Sequence, residues 1–284
     1  MNKDIKFIFF GTSLFSVYVL NTLREFGFKP FAIVTFPDRP KGRKMIPTPN
    51  VVKTWAEVNN VPIIQTLTLK DIDVQERLRK YNADLFVVAS FGRILPKEVI
   101  YMPQYQTLNV HPSLLPRFRG PSPIQEAILT GERTGVSIMR LDEGMDTGPI
   151  LAQEEANIEN WPVYYKEAEE ILGKMGGNLL ADVLPSWISG NIREVPQTDD
   201  GVSKTRMIAR MDGDIANDPP EIAIRKIKAF EVWPRTFMFY TKKDGTKELL
   251  IIKRAEIKDG TLIPTLVIPA GRNEMFYEDF LRGR

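Results

Sequence analysis

One histidine, His111, stands in a chain of 284 residues. It lies two positions after Asn109, at the head of a run that turns apolar and then basic, NVHPSLLPRFRG over 109–120. In an extended strand, residues two apart leave the same face, so Asn109 and His111 would project together. An amide donor beside an imidazole suits acyl transfer: the oxyanion of a tetrahedral intermediate needs aimed donors, and the attacking nucleophile must lose a proton. Such an imidazole needs an orienting partner, which can also set its tautomer and stabilise its charged form. LDEGMDTGP (141–149) offers acids in a turn framed by Gly144 and Gly148. Asp142 and Asp146 are both candidates, and spacing does not choose between them. The competing reading of His111 is a buried ring satisfied by its neighbours. Ser113 is a poor hydrolase nucleophile, because no G-x-S-x-G elbow surrounds it. The turn at Gly11-Thr12 matches neither G-x-G-x-x-G nor a P-loop, so nucleotide binding is not indicated.

Composition narrows the chemistry further. The chain has no cysteine, which excludes disulfides and thiolate metal sites, and one histidine cannot build a histidine-rich zinc site. Only a carboxylate-bound metal remains open on these grounds, and no metal is expected. A composition of 43% hydrophobic and 26% charged residues fits a soluble globular protein. The apolar run near the N-terminus, IKFIFFG, is too short for a signal-peptide core or a membrane span, so a cytoplasmic protein is expected. Net charge is only +2, but PDRPKGRKMIPTPNVVK (37–53) sets Arg39, Lys41, Arg43, Lys44 and Lys53 against a single acid, Asp38. Local basicity of this kind is what a phosphate-tracking surface needs; a solvated loop is the plainer alternative.

The elements that must position these residues follow from periodicity. Buried runs at 5–11, 31–36, 61–64, 83–92 and 105–112 alternate with helical patterns, and two later strands fall at 134–141 and 148–156. This is the signature of an α/β fold: a Rossmann-like, mostly parallel sheet with helices on both faces. Such sheets bind ligands outside the carboxyl ends of their strands, where Asn109 and His111 fall. Residues 163–190 read as a long helix with a break near Gly176-Gly177 or Pro185. Residues 1–190 are therefore expected to form a catalytic domain, the polar stretch 191–218 a linker, and 219–284 a small C-terminal antiparallel β domain of barrel or sheet type, OB-like. No heptads or apolar stripe call for a partner copy, so a monomer is expected.

Several motifs together resemble the folate-dependent formyltransferases. They are FFGTSLFSV, FPDRPKGRKMIPTP, VVASFGRILP, NVHPSLLPRFRGPSPIQEAILTGE, DEGMDTGPIL and KAFEVWPRTF, spanning residues 5 to about 240. The resemblance implies formyl transfer from 10-formyltetrahydrofolate to the α-amino group of methionyl initiator tRNA, as translation initiation requires. Carried over by motif, it makes Asn109, His111 and Asp146 the catalytic trio, which selects Asp146 over Asp142. It makes Ser113, Leu114, Leu115 and Pro116 a folate-binding segment, and Phe91, Gly92, Arg93, Ile94 and Leu95 a wall of the pterin pocket. It also directs Arg39, Lys41, Arg43 and Lys44 to the acceptor end of the tRNA and gives 219–284 a tRNA-binding role. The chain departs from the family in four places, one being a C-terminal module shorter than the common form. Ser13 replaces a usual proline and can cap a helix, the basic loop is a residue or two short, and GVSKTRMIAR stands where Tyr-Ala-Pro-Lys is usual. Rival readings are the same chemistry on a sugar amine or glycinamide ribonucleotide, a hydrolase of the folate derivative, and, from another class, a non-catalytic RNA-binding protein on the same scaffold. The intact trio argues against the last.

Overall fold

FIFFG at Phe7–Gly11 is buried at every position, so this strand has no solvent face and must be covered by helices on both sides. Each fully buried phenyl contributes about 1.5–3 kcal/mol relative to exposure. The computed structural model describes residues 5–42, 45–242 and 245–282. In it β1 (Phe7–Gly11) leads into α1 (Leu14–Glu25), β2 (Ala32–Thr35), a ribbon of β3 (Arg39–Lys41) and β4 (Ile46–Thr48), α2 (Val51–Val58) and β5 (Ile63–Gln65). Then come α3 (Ile72–Lys80), β6 (Leu85–Ala89), α4 (Lys97–Ile100), β7 (Thr107–His111), α5 (Pro123–Thr130), β8 (Gly135–Arg140), β9 (Ile150–Glu155) and α6 (Tyr165–Ile188). The chain ends in α7 (Pro220–Ala229), β10 (Thr236–Thr241), β11 (Lys247–Lys258), β12 (Thr261–Pro269), β13 (Met275–Phe276) and α8 (Tyr277–Arg282). No helix among the described residues is long and apolar enough to cross a membrane.

Two compact units result, one of residues 1–121, 134–156 and 169–204, the other of 122–133, 157–168 and 205–284. The first holds a Rossmann-like sheet of seven strands in the order β5-β2-β1-β6-β7-β8-β9. Its five strands from β5 to β7 are parallel, and β8 and β9 close one edge antiparallel. On one face Ile8, Phe10, Phe86 and Val88 pack against Val74 and Leu78 of α3 and Val99 and Ile100 of α4. On the other face Val110 meets α6, so its neighbours Asn109 and His111 turn away from that helix.

α6 runs unbroken from Tyr165 to Ile188, where the sequence suggested a break. The glycines serve close approach instead. A Cβ on Gly176 would stand 2.5 Å from Val110 Cγ1, and one on Gly177 2.5 Å from Thr22 Cβ. Pro185 forfeits one amide donor only a turn before the helix ends. Capping of α1 also differs from the expectation: Ser13 Oγ is buried without a partner. Ser16 reaches back instead, its Oγ accepting from the amides of Thr12 (3.2 Å) and Ser13 (3.3 Å) and donating to the Ala89 carbonyl (2.6 Å).

The second unit carries a four-stranded antiparallel sheet in the order β10-β11-β12-β13. Leu250, Ile252 and Val267 of this sheet pack with Ala223 and Ile227 of α7 and Phe280 of α8. Asp259 and Gly260 take the positive φ values, 51° and 72°, of a two-residue hairpin turn; Asp244 of the other expected turn lies outside the described residues. Among those residues β10 and β13 remain the sheet's edges, so the small β domain is a sheet and not a ring closed by a β10–β13 pair. α5 packs on α7 and belongs to this unit.

On an open helix Gly→Ala gains about 1 kcal/mol, but at Gly177 overpacking of about 1–3 kcal/mol outweighs that gain. Gly177→Ala is therefore expected to lower the urea midpoint of unfolding; a raised midpoint would contradict the α1–α6 contact.

Candidate active site

Asn109 and His111 project from one face at the carboxyl end of β7, both buried, as their alternation predicts. The acid that meets them takes a less direct route. β8 runs antiparallel to β7, with Ser137 beside His111 and Arg140 beside Leu108, so the β8–β9 loop starts at the far end of the strand. To reach His111 the loop must double back. Asp142 folds it: its carboxylate accepts from the Gly144 amide (3.0 Å) and from Thr147 Oγ1 (2.8 and 3.0 Å), a turn-forming use of aspartate. Gly148 presses on the Arg140 carbonyl where no Cβ would fit.

The carboxylate brought to the site is thus that of Asp146. Its Oδ1 lies 3.4 Å from Asn109 Nδ2, which donates to it, and 3.7 Å from His111 Nδ1. Its Oδ2 accepts from the Gly120 amide at 2.8 Å. Asp146 adopts φ 54°, a left-handed conformation costing a non-glycine residue about 1–3 kcal/mol unless its surroundings impose it.

His111 Nε2 stands 3.0 Å from the Phe118 carbonyl. A carbonyl only accepts, so Nε2 carries the proton of the neutral ring and Nδ1 keeps the lone pair facing Asp146. The tautomer is set by this backbone carbonyl, not by the carboxylate the sequence reading had in that role. A separation of 3.7 Å is too long for a direct hydrogen bond, which leaves Nδ1 able to take a proton.

The neighbouring segment is held in detail. Ser113 Oγ donates to the Arg117 carbonyl (2.6 Å), and Ser137 Oγ donates to the Ser113 carbonyl (2.6 Å) while accepting from the Leu115 amide (3.1 Å). Gln153 Nε2 donates to the Leu115 carbonyl (2.8 Å). Ser113 and Leu115 are buried, while Leu114 and Pro116 are half-buried. Of the other apolar wall, Phe91 and Leu95 lie in the core beneath α3 and α4. Ile94 is 73% exposed, and Gly92 takes φ 73°, with Arg93 also exposed. This turn and the Ser113–Pro116 segment follow adjacent parallel strands, so both lie at one edge of the sheet.

The basic stretch is more ordered than a loop. β3 and β4 pair as a ribbon whose base is tied by Lys53 to Asp38 at 2.8 Å, so Lys53 is not part of an open basic surface. The Lys53 ammonium, and next Gln65, hold the Asp38 carboxyl below its ordinary range. Arg39 is exposed, with its guanidinium 5.3 Å from the Phe36 ring centroid. Lys41 ends β3; Arg43 and Lys44 lie outside the described residues.

Residues 191–204, read as the start of a linker, belong to the first unit and cross the site. Arg140 donates to Glu194 (3.0 and 2.8 Å), Val195 and Ile150 exchange backbone hydrogen bonds (2.8 and 2.9 Å), and Ser203 Oγ accepts from the Phe118 amide (2.8 Å). Gln197 joins Arg119 to the Asp146 backbone. These residues have no apolar periodicity, and their polar composition with Asp199-Asp200-Gly201 carries no sign of the partners they meet.

Comparison with known proteins bears on the family and the fold. The formyl transferase family pattern matches residues 3–174. A methionyl-tRNA formyltransferase of Myxococcus xanthus is 38% identical over 271 residues, covering 94% of this chain and 84% of its own. One from a Wolbachia strain of Drosophila simulans is 38% identical over 295 residues, covering 98% and 96%. Among solved structures, the methionyl-tRNA formyltransferase of Clostridium thermocellum superposes with TM-score 0.60 at 20% identity, covering 93% of this chain and 98% of its own. The N-formyltransferase of Helicobacter canadensis, solved with folinic acid and dTDP-3-aminofucose, gives 0.61 at 18% identity, covering 94% and 96%. At these identities the superpositions speak for the fold.

Because the sequence has one histidine, its ring nitrogens can be read without ambiguity. A long-range 15N–1H spectrum at a pH where the ring is neutral is expected to show Nε2 protonated and Nδ1 bare. A spectrum with the proton on Nδ1 would contradict the tautomer derived from the Phe118 carbonyl.

Proposed function

Because this chain belongs to the methionyl-tRNA formyltransferase family, we propose that Asn109, His111 and Asp146 carry formyl transfer from 10-formyltetrahydrofolate to the α-amino group of methionyl initiator tRNA. The observation that supports this reading most directly is the convergence of an amide nitrogen and an imidazole nitrogen on one carboxylate oxygen, at 3.4 and 3.7 Å.

Chemically, the α-amine must lose a proton as its nitrogen bonds to the formyl carbon, and the bond from that carbon to the folate nitrogen must break as that nitrogen gains a proton. His111 Nδ1 is the basic atom available for the first event, and the imidazolium returns that proton to the departing folate nitrogen. Its Nε2–H is already spent on a carbonyl, so the ring holds one orientation throughout. Asp146 balances the imidazolium that forms, and gives it a partner across a gap that closes when substrate compacts the site. The Asn109 amide, held among the described residues by one long contact to Asp146, is the donor for the developing oxyanion; such a donor is worth about 2.7–4 kcal/mol at the barrier.

The formyl donor is assigned to the edge between the two apolar turns. Half-buried Leu114 and Pro116, exposed Ile94 and a Gly92 backbone with no side chain suit a flat ring system, whereas Phe91 and Leu95 support that surface from within the core. The basic residues Arg39, Lys41, Arg43 and Lys44 are assigned to the acceptor end of the tRNA, and the C-terminal sheet unit to the body of the tRNA. A ribbon pinned at Asp38–Lys53 loses less freedom on binding than an open loop would.

The decisive assay supplies 10-formyltetrahydrofolate with charged methionyl initiator tRNA, a sugar amine or glycinamide ribonucleotide. Formylmethionine is the expected product, and formylation of either small amine with none of the tRNA would refute the reading. His111→Ala and Asp146→Ala are expected to cut kcat by about 100-fold or more, with binding of the folate little changed; wild-type turnover would remove the role assigned. Charge reversal at Arg43 and Lys44 should raise the apparent constant for tRNA and flatten its dependence on salt. An unchanged salt slope would identify the ribbon as merely solvated.

A further inference from the structure

Asp146 holds a backbone conformation that aspartate does not favour, and the residue that fastens it lies outside the trio. Gln197 Nε2 donates to the carbonyls of Asp146 (2.9 Å) and Gly148 (2.7 Å). Its Oε1 accepts from Arg119 Nε (2.9 Å) and Nη2 (2.7 Å). All four capacities of the side-chain amide are used, and its orientation follows: the reverse placing would set oxygen against two carbonyls and NH2 against a guanidinium. Arg119 is buried and spends its fork on a neutral amide instead of a carboxylate. Its neighbour Gly120 donates to the Asp146 carboxylate. Residues 119–120 and Asp146 are therefore joined twice, once directly and once through Gln197.

We propose that Gln197 is a positioning residue for formyl transfer, holding the Asp146 backbone so that its carboxylate meets Asn109 and His111. The proposal rests on the assignment of Asp146 in the trio. The strap carrying Gln197 has separate anchors in the Arg140–Glu194 pair and the Val195–Ile150 bridge. Loss of the Gln197 side chain therefore frees the Asp146 loop without freeing the strap.

Two substitutions separate the arms of the clamp. Gln197→Glu keeps an acceptor for Arg119 and deletes both donors to the loop, whereas Gln197→Ala deletes everything. Each is measured in single-turnover formylation of charged initiator tRNA, alone and combined with Asp146→Ala, with circular dichroism confirming the fold. Both are expected to lower kcat by about 10–100-fold, the effect of a displaced catalytic group, with KM for the formyl donor within about threefold of wild type. If Gln197 acts through Asp146, either change adds less than about twofold to Asp146→Ala, since coupled residues are not additive. Wild-type turnover in Gln197→Glu, or the same loss with and without Asp146, would overturn this inference while leaving an impaired Asp146→Ala to support the trio. Wild-type turnover in Asp146→Ala would overturn both.

Discussion

The site depends on a loop that starts in the wrong place. Because β8 runs antiparallel to β7, the chain leaves β8 beside Leu108 and must return along the sheet to bring Asp146 back to His111. Every unusual feature nearby serves that return. Asp142 folds the turn with its own carboxylate, Gly148 allows contact with the Arg140 carbonyl, and Asp146 accepts a left-handed backbone. Gln197 closes the loop from outside. A parallel strand at this position would have ended the chain on the edge where His111 lies, with no need of such a loop.

The antiparallel pair has a second consequence. Ser137 on β8 and Gln153 on β9 are cross-strand partners, and both reach into the segment after His111. Polar side chains buried beside an apolar turn are costly unless satisfied, and here they satisfy each other and the backbone of Ser113 and Leu115. The edge strands thus fasten the segment after His111, while the parallel core supplies the platform. His111 gains from this fastening: with Phe118 O fixed beneath Nε2, the lone pair of the neutral ring has one direction left.

Much of the fold was legible in the sequence. The β1 and β6 segments are apolar along both faces, which only a doubly covered sheet tolerates, and β7 is buried along its whole length. Asp259-Gly260 marked its hairpin because few residue pairs accept two positive φ values. The misreadings share a cause. Gly176 and Gly177 resemble helix breakers until β7 and α1 are seen packed against them, and Ser13 sits at the N-cap of α1 while the Ser16 hydroxyl makes the bonds expected of it. Polar residues 194–204 resemble a tether because their partners, Arg140, Ile150, Phe118 and Asp146, are distant in the chain.

Residue types and local periodicity determined which groups are available for chemistry: one imidazole, one amide on its face, two acids in a glycine-framed turn. They also determined that a parallel sheet presents the first two at a carboxyl edge, because alternation along a strand is a local property. Motif resemblance pointed to Asp146 over Asp142, but only the tertiary structure brought that carboxylate to the pair, left Nδ1 as the free imidazole nitrogen, and set Gln197 against the Asp146 backbone. Those outcomes depend on strand direction, on hydrogen bonds between segments far apart in sequence, and on a carbonyl whose side chain carries no signal. No short-range pattern encodes such relations, since each arises when separate stretches of chain compete for the same donors and acceptors in a closed interior.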